Sequence, residues 1–184
     1  MVSQFVSSHP VVLLGSLDFS FPEGTHAIGR LDSNSEGLLI LTTDKSVTKK
    51  LFQAAIPHTR TYLVEVRKSV TPDTIQLLNN GVQIRIKGGG IYTTTPCNAR
   101  LVENPAEYIQ INESKNIYEP SSWIMISLTE GKFHQVRKMV KAIGHRCIRL
   151  IRISIEGITL GYLPPGGVRE MGEKEFFGLL GMSL

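Results

Sequence analysis

Asp32 is the carboxylate of this chain most plainly set up for chemistry. It lies in His26-Ala-Ile-Gly-Arg-Leu-Asp-Ser-Asn-Ser-Glu-Gly-Leu-Leu-Ile-Leu-Thr42, where a polar, turn-forming run leads directly into an apolar stretch. A carboxylate at such a junction can act as a nucleophile or as a base. An Asx-turn feeding a strand explains Asp32 equally well on its own. Asp32-x-Asn-x-Glu-Gly also looks like the start of a calcium loop. Its twelfth position is Thr43 instead of Glu, and a strand is expected where that loop needs a helix, so calcium is rejected.

The second chemical feature is positive charge. From Glu130 to Arg152 there are seven basic residues and one acid, a net +6, which leaves −2 for the other 161 residues. Within it, Lys132–Ile143 reads as a helix closed by Gly144. At 100° per residue, Val136, Met139, Val140 and Ile143 form one stripe, while His134, Arg137, Lys138 and Lys141 form the next. A solvated amphipathic helix is the plain explanation. Against it, no acid intersperses the basic stripe as on a salt-bridged surface helix. Arg149 and Arg152 have opposite strand parity and point to opposite faces. Concentrated charge of this kind suits a polyanion.

The whole chain narrows the field further. Its 184 residues fit one domain, or two small ones sharing a sheet. Hydrophobic residues make up 41% and charged residues 20%, enough for a substantial core and too few charges for charge-rich disorder. The net charge is +4 and the pI about 9.1. Cys97 and Cys147 belong to no CxxC or Cys/His cluster, so neither a disulfide framework nor a zinc site is expected. No apolar run reaches the roughly 18 residues of a membrane span, and Met1–Pro10 lacks a signal-peptide pattern. A cytoplasmic protein with no membrane partner is expected. Walker, Rossmann, HExxH and Gly-x-Ser-x-Gly motifs are absent. Gly88-Gly-Gly90 reads as a hairpin turn in preference to a phosphate nest.

The elements that must position these residues follow from periodicity. Gly37–Thr42 is expected as a buried strand, Lys45–Ala55 as a helix stopped by Pro57, and Thr61–Arg67 as a strand. A helix starting at Thr71-Pro72-Asp73 ends at Asn80-Gly81, and Val82–Lys87 alternates as a strand. Further strands are expected at Asn98–Glu103, Glu107–Ile111, Trp123–Leu128, Cys147–Ile155 and Ile158–Leu160, then a last helix over Glu173–Leu180. Strands outnumber helices and follow one another, which predicts an α+β fold with a mainly antiparallel sheet. The best seam between two subdomains is Asn104–Ser122.

Several segments together carry a resemblance. Gly29-Arg-Leu-Asp32-x-x-Ser-x-Gly-Leu-Leu-Ile-Leu-Thr42 resembles the catalytic motif of RNA pseudouridine synthases of the RsuA-like family. Arg60-Thr-Tyr62-Leu-Val-Glu-Val66 is similar to the second motif, which usually has Lys before Thr-Tyr. Glu130-Gly-Lys-Phe-His-Gln-Val-Arg137-Lys-Met139 is similar to the third. The tail, Arg149-Leu-Ile-Arg-Ile and Leu160-Gly-Tyr-Leu-Pro-Pro-Gly-Gly-Val-Arg-Glu170, also matches, and coverage runs from about His26 to Glu170. Within the family, the resemblance is to a member that modifies large-subunit ribosomal RNA.

The resemblance implies one catalytic domain over residues 1–184, with a central mixed, mostly antiparallel sheet, flanking helices and a cleft. It implies a monomer that needs no metal or organic cofactor and isomerises a uridine of ribosomal RNA, 23S in expectation. Asp32 is then the nucleophile, or the base of a glycal route, and the residues leave both open. Arg137 resembles its basic partner, turned inward from the stripe edge. Tyr62 resembles the aromatic that stacks on the base; without the motif it reads as a core tyrosine. Leu128 is expected under the base. Arg30 either fills the gap left by the flipped base or forms a structural salt bridge. Lys132, His134, Lys138 and Lys141 are assigned outward to RNA phosphates. An S4 domain is not expected before Asp32, and the strand ending in Asn-Lys-Pro that usually opens the domain is not evident. The alternatives are a non-catalytic RNA-binding or ribosome-assembly module, and a glycosidase. The latter needs two acids flanking one bond, and Glu36 is the sole nearby second acid.

Overall fold

Strand β4 (Arg60–Arg67) organises the structure, a computed structural model that describes residues 1–52, 57–110 and 120–182. Its β-branched and aromatic residues favour the extended chain, and it is hydrogen-bonded along both edges. On one side it pairs antiparallel with β8 (Ser121–Leu128), which pairs in turn with β7 (Asn98–Val102). On the other side lies β9 (Cys147–Ile155), which pairs antiparallel with β10 (Ile158–Thr159) and parallel with β2 (Glu36–Gly37). The sheet is therefore mixed and mostly antiparallel, as expected. Two antiparallel ribbons accompany it: β1 (His26–Ile28) with β3 (Ile40–Thr42), and β5 (Gln83–Arg85) with β6 (Ile91–Thr93).

Alternation along β4 builds two cores. Val64 and Val66 are fully buried with Ile124 and Ile126, under helices α2 (Pro72–Asn80) and α3 (Gln135–Ala142). Leu63 faces the opposite way, toward Val102, Ile109, Ile151 and Ile153. A third cluster joins Ile28, Leu38, Ile40 and Val47 of α1 (Lys45–Phe52) to Phe177 of α4 (Glu173–Leu179). Each fully buried aliphatic side chain contributes about 1.5–3 kcal/mol.

Several expectations need correction. The run Gly37–Thr42 is not one strand: β2 ends at Gly37 and β3 begins at Ile40. Apolarity alone does not register that the two pieces pair with different partners. The strand expected at Glu107–Ile111 is a 3₁₀ turn at Pro105–Glu107, where Pro105 fixes φ, and Ile111 lies outside the described residues. β1 and β6 were not anticipated, because three residues carry too little alternation. The helix expected to reach Ala55 is described to Phe52, and most of the proposed seam, residues 111–119, also lies outside the described residues. The helix expected from Lys132 begins at Gln135, because His134 is left-handed with φ 55°.

Two local devices hold the segment that carries Asp32. Ser35 N–H donates to the Asp32 carbonyl at 2.8 Å, closing a turn, and Leu38 N–H donates to the Arg152 carbonyl at 2.7 Å. Upstream, Ser3 Oγ donates to the Leu31 carbonyl and accepts from Leu31 N–H. Gly37 has φ 101°, and a Cβ there would lie 2.3 Å from the Arg152 carbonyl oxygen. A second device ties the β5–β6 ribbon to the segment before α3. Glu130 accepts from Tyr92 Oη, Thr95 N–H and Gln135 Nε2, while Gln135 Oε1 accepts from Lys132 N–H. The Glu130 carboxylate holds the neutral Tyr92 phenol and raises its pKa above the ordinary 10.0.

Gly37→Ala is expected to destabilise the protein by at least about 2 kcal/mol, the sum of backbone strain and a steric overlap with backbone. Thermal unfolding then shifts down by roughly 5 °C or more. Glu130→Ala is expected to bring the Tyr92 phenol back down toward 10.0. Because the folded pKa is the higher one, the Tyr92–Glu130 link is intact below pH 10 and is lost as pH rises past it. A difference phenolate titration of wild type against the variant measures this.

Candidate active site

A cavity of about 270 Å³ opens where the Asp32 loop, β4, β8, β9 and the segment before α3 converge. That is near the lower end of the roughly 300–1,000 Å³ typical of small-ligand sites, a size suited to one small group. Asp32, Tyr62, Leu128 and Arg152 all line it, together with Arg30, Arg60, Lys132, Phe133 and His134. Two carboxylates, Asp32 and Glu130, face four strongly basic side chains, Arg30, Arg60, Lys132 and Arg152. Glu130 is already engaged by three donors, so the field in the cavity favours an anion.

The residues expected from the sequence fall into three positions. Asp32 is half-buried at the edge of the cavity; Tyr62 and Leu128 form its wall and floor. Leu128 is 3% exposed. Arg30, Lys132, Lys138 and Lys141 lie at the rim or on the surface beyond it, with Arg30, Lys132 and Lys141 exposed and Lys138 half-buried. Lys138 Nζ sits 5.4 Å from the Phe133 ring centroid and Lys132 Nζ 4.7 Å from that of Tyr92. Such placements keep a cation oriented without neutralising it.

His134 departs from the position that helical geometry gave it, and Arg137 from the partner expected of it. His134 was placed on the outer stripe, but it precedes the helix, and its left-handed backbone turns the ring back over the cavity. Its ring stacks on Phe133 at 3.8 Å, and Nε2 lies 3.4 Å from Asp32 Oδ1. Arg137 does turn inward. It donates to the Asn34 carbonyl, two residues beyond Asp32, and through Nη1 to Cys147 Sγ at 3.4 Å. Arg137 thus grips the backbone of the Asp32 loop, and the side chain that meets Asp32 is His134.

Arg152 was not singled out as a site residue. It lies directly opposite Tyr62 in the β4–β9 pairing. A register shift between Thr61 and Tyr62 matches Thr61 with Ser154 and Tyr62 with Arg152, leaving Ile153 over. That bulge brings Arg152 to the cavity face beside Tyr62. The Arg152 guanidinium donates through Nε at 2.8 Å to the Leu38 carbonyl, and Tyr62 lies across from it on the neighbouring strand. Burial pushes its pKa down, and the Tyr62 contact opposes this. The only sequence signal was the even parity that sets Arg152 apart from Arg149. Arg149 lies on the other face and forms a bidentate pair with Glu36.

Other chemistries find less support. Among the described residues, no group of three His, Cys, Asp or Glu side chains is placed to hold a metal ion. Burial raises the Cys97 thiol to about 11 and also raises Cys147. Both sulfurs act as packed hydrogen-bonding groups, unlike nucleophiles, which need lowered values. Among the described residues no helix is long and apolar enough to cross a membrane.

Comparison with known proteins shows the family. The family model for RNA pseudouridylate synthase matches residues 16–142, which include Asp32, Tyr62, Leu128 and Arg137. The chain is 33% identical over 155 residues to the ribosomal large subunit pseudouridine synthase E of Vibrio vulnificus, covering 84% of this chain and 64% of that one. It is 30% identical over 168 residues to the ribosomal small subunit pseudouridine synthase A of Escherichia coli strain K12, covering 91% and 64%. A crystal structure of a pseudouridylate synthase superposes with a TM-score of 0.69 at 23% identity, over 88% of this chain and 63% of the other. The chain therefore spans a little under two thirds of the length of these relatives. Because the family match takes in well over half of the sequence, the chain belongs to the RNA pseudouridylate synthase family.

Proposed function

We propose that this chain isomerises a uridine of ribosomal RNA to pseudouridine, with Asp32 as the reacting carboxylate. The observation that carries the proposal is one cavity in which Asp32, Tyr62 and Leu128 converge, lined also by Arg30, Arg60 and Lys132, none of which forms an ion pair among the described residues. Its size suits a single extruded base. The large-subunit relative is the more similar of the two ribosomal enzymes compared, which favours large-subunit RNA. The reaction gains and loses no atoms, so it requires neither a redox carrier nor a group donor. The chain acts in the cytoplasm as a monomer, as one catalytic domain.

The division of labour follows from position. The target uridine leaves its stack at a cost of a few kcal/mol, returned by the cavity and by phosphate contacts. Tyr62 stacks on the base, and Leu128 supports it from below. Asp32 attacks C1′ or removes the C2′ proton, and either act breaks the N1–C1′ bond. Arg137 fixes the loop that presents Asp32 by holding the Asn34 carbonyl. Entry of the ribose displaces the 3.4 Å contact between His134 and Asp32, which frees the ring to meet a phosphate. Arg30, Lys132, Lys138 and Lys141 take up phosphates around the opening. A non-catalytic RNA-binding module needs the rim but gives no reason for Asp32 and Tyr62 to share a cavity with it.

Ribosomal RNA lacking pseudouridine is the test substrate. Wild type is expected to create one modified position, and Asp32→Asn to lower the single-turnover rate at least about 10³-fold without loss of RNA binding. Identical modification maps for the two proteins would sink the enzymatic reading. Lys138→Ala with Lys141→Ala is expected to weaken binding and to flatten the slope of log K against log salt by about 1.5, near the single-strand value for two phosphate contacts. An unchanged slope removes this helix from the RNA interface.

A further inference from the structure

Arg152 holds a charge that the fold does not neutralise. It is 6% exposed, and among the described residues no carboxylate pairs with it. Nε is taken by the Leu38 carbonyl, and Tyr62 faces the side chain on the next strand, but among the described residues buried Nη2 has no hydrogen-bond partner. The same side chain lines the cavity that holds Asp32. Buried polar groups are almost always paired, so an unpartnered donor on a guanidinium that lines this cavity marks a place for an acceptor from a ligand. A free donor of a permanent cation, fixed beside the aromatic that faces the base, is a preorganised anion site.

We propose that Arg152 is a catalytic residue that binds a carbonyl oxygen of the detached uracil anion through Nη2. The proposal rests on the uridine-isomerase function above and assigns a partner to the leaving group of that reaction. When the N1–C1′ bond breaks, its electron pair departs with N1. Uracil then carries one negative charge, shared among N1, O2 and O4. C1′ is captured by an Asp32 oxygen, or C2′ gives its proton to Asp32 and a glycal remains. C5 next supplies the pair for the new C1′–C5 bond. As that bond forms, the Asp32–C1′ pair returns to the carboxylate, or the Asp32 proton passes to C2′. Loss of the C5 proton and protonation of N1 complete the isomer. Negative charge is greatest while uracil is detached, and Arg152 is the buried cation positioned to oppose it through both half-reactions. Tyr62 and Arg152 occupy one rung of the sheet, so the ring that stacks on the base and the cation that meets its oxygen are set at a fixed separation.

The test compares RNA carrying uridine with RNA carrying 5-fluorouridine at the target position. Fluorine stabilises the uracil anion, so the departing base needs less help from a cation. Loss of the original nucleoside is followed in single turnovers at saturating enzyme. Arg152→Gln is expected to slow uridine RNA by about 10²–10³-fold and 5-fluorouridine RNA by roughly 10-fold or less, with RNA affinity changed less than about 3-fold. Arg152→Lys keeps the charge but not the planar fork. Its expected loss is smaller, with the same preference for the fluorinated substrate, and it carries the comparison if Arg152→Gln does not fold. Equal losses on both substrates, or a loss confined to affinity, overturn the proposal, because a merely structural arginine makes no such distinction. A wild type that converts neither substrate overturns the enzymatic reading itself, and this proposal with it.

Discussion

The pairing of β9 with two partners at one point is the constraint on which the site depends. At Arg152 the strand bonds antiparallel to β4 on one edge and parallel to β2 on the other. The first pairing brings Arg152 beside Tyr62. The second anchors the end of the Asp32 loop, through Leu38 N–H to the Arg152 carbonyl and Arg152 Nε to the Leu38 carbonyl. An unsatisfied buried donor costs about 1–3 kcal/mol, more where the group is charged. Burial of the three hydrophobic core clusters offsets that cost.

The remaining contacts of the loop make sense as supports for this junction. Ser3 holds Leu31 from one side, Arg137 holds Asn34 from the other, and the Ser35–Asp32 turn closes the middle. Asp32 itself is left with one side-chain ion pair among the described residues, to His134. The backbone around the carboxylate is therefore held by more contacts than the carboxylate itself.

Much of this was legible in the sequence, and the failures have a common cause. The α+β class, β4, β8, α2 and the apolar face of α3 all follow from periodicity, because each is a long element with one buried side. Asp32, Tyr62 and Leu128 could be named from the sequence because each lies in or beside a local motif, and all three line one cavity. What local pattern misses is register. Arg152 reaches the cavity through a bulge between strands some 90 residues apart in the chain, and no window of sequence contains that fact. His134 was misplaced because a regular helix was extended across a left-handed residue, which places the ring at Asp32 instead of on the outer stripe. Glu130 was visible within a motif, but its three acceptor contacts bring together the β5–β6 ribbon and the start of α3, which only the fold juxtaposes.

The shared rung of Tyr62 and Arg152 has an evolutionary corollary. The distance between these two side chains is set by main-chain pairing in the interior of the sheet, about 5 Å between facing Cα atoms. The cations around the mouth stand on loops and on one helix face, where substitution disturbs no ladder. On the proposed function, drift in the outer ring redirects the protein to a new nucleotide neighbourhood while main-chain pairing holds the inner pair in place. Chemistry and address are thereby written in parts of the chain that mutate under different constraints.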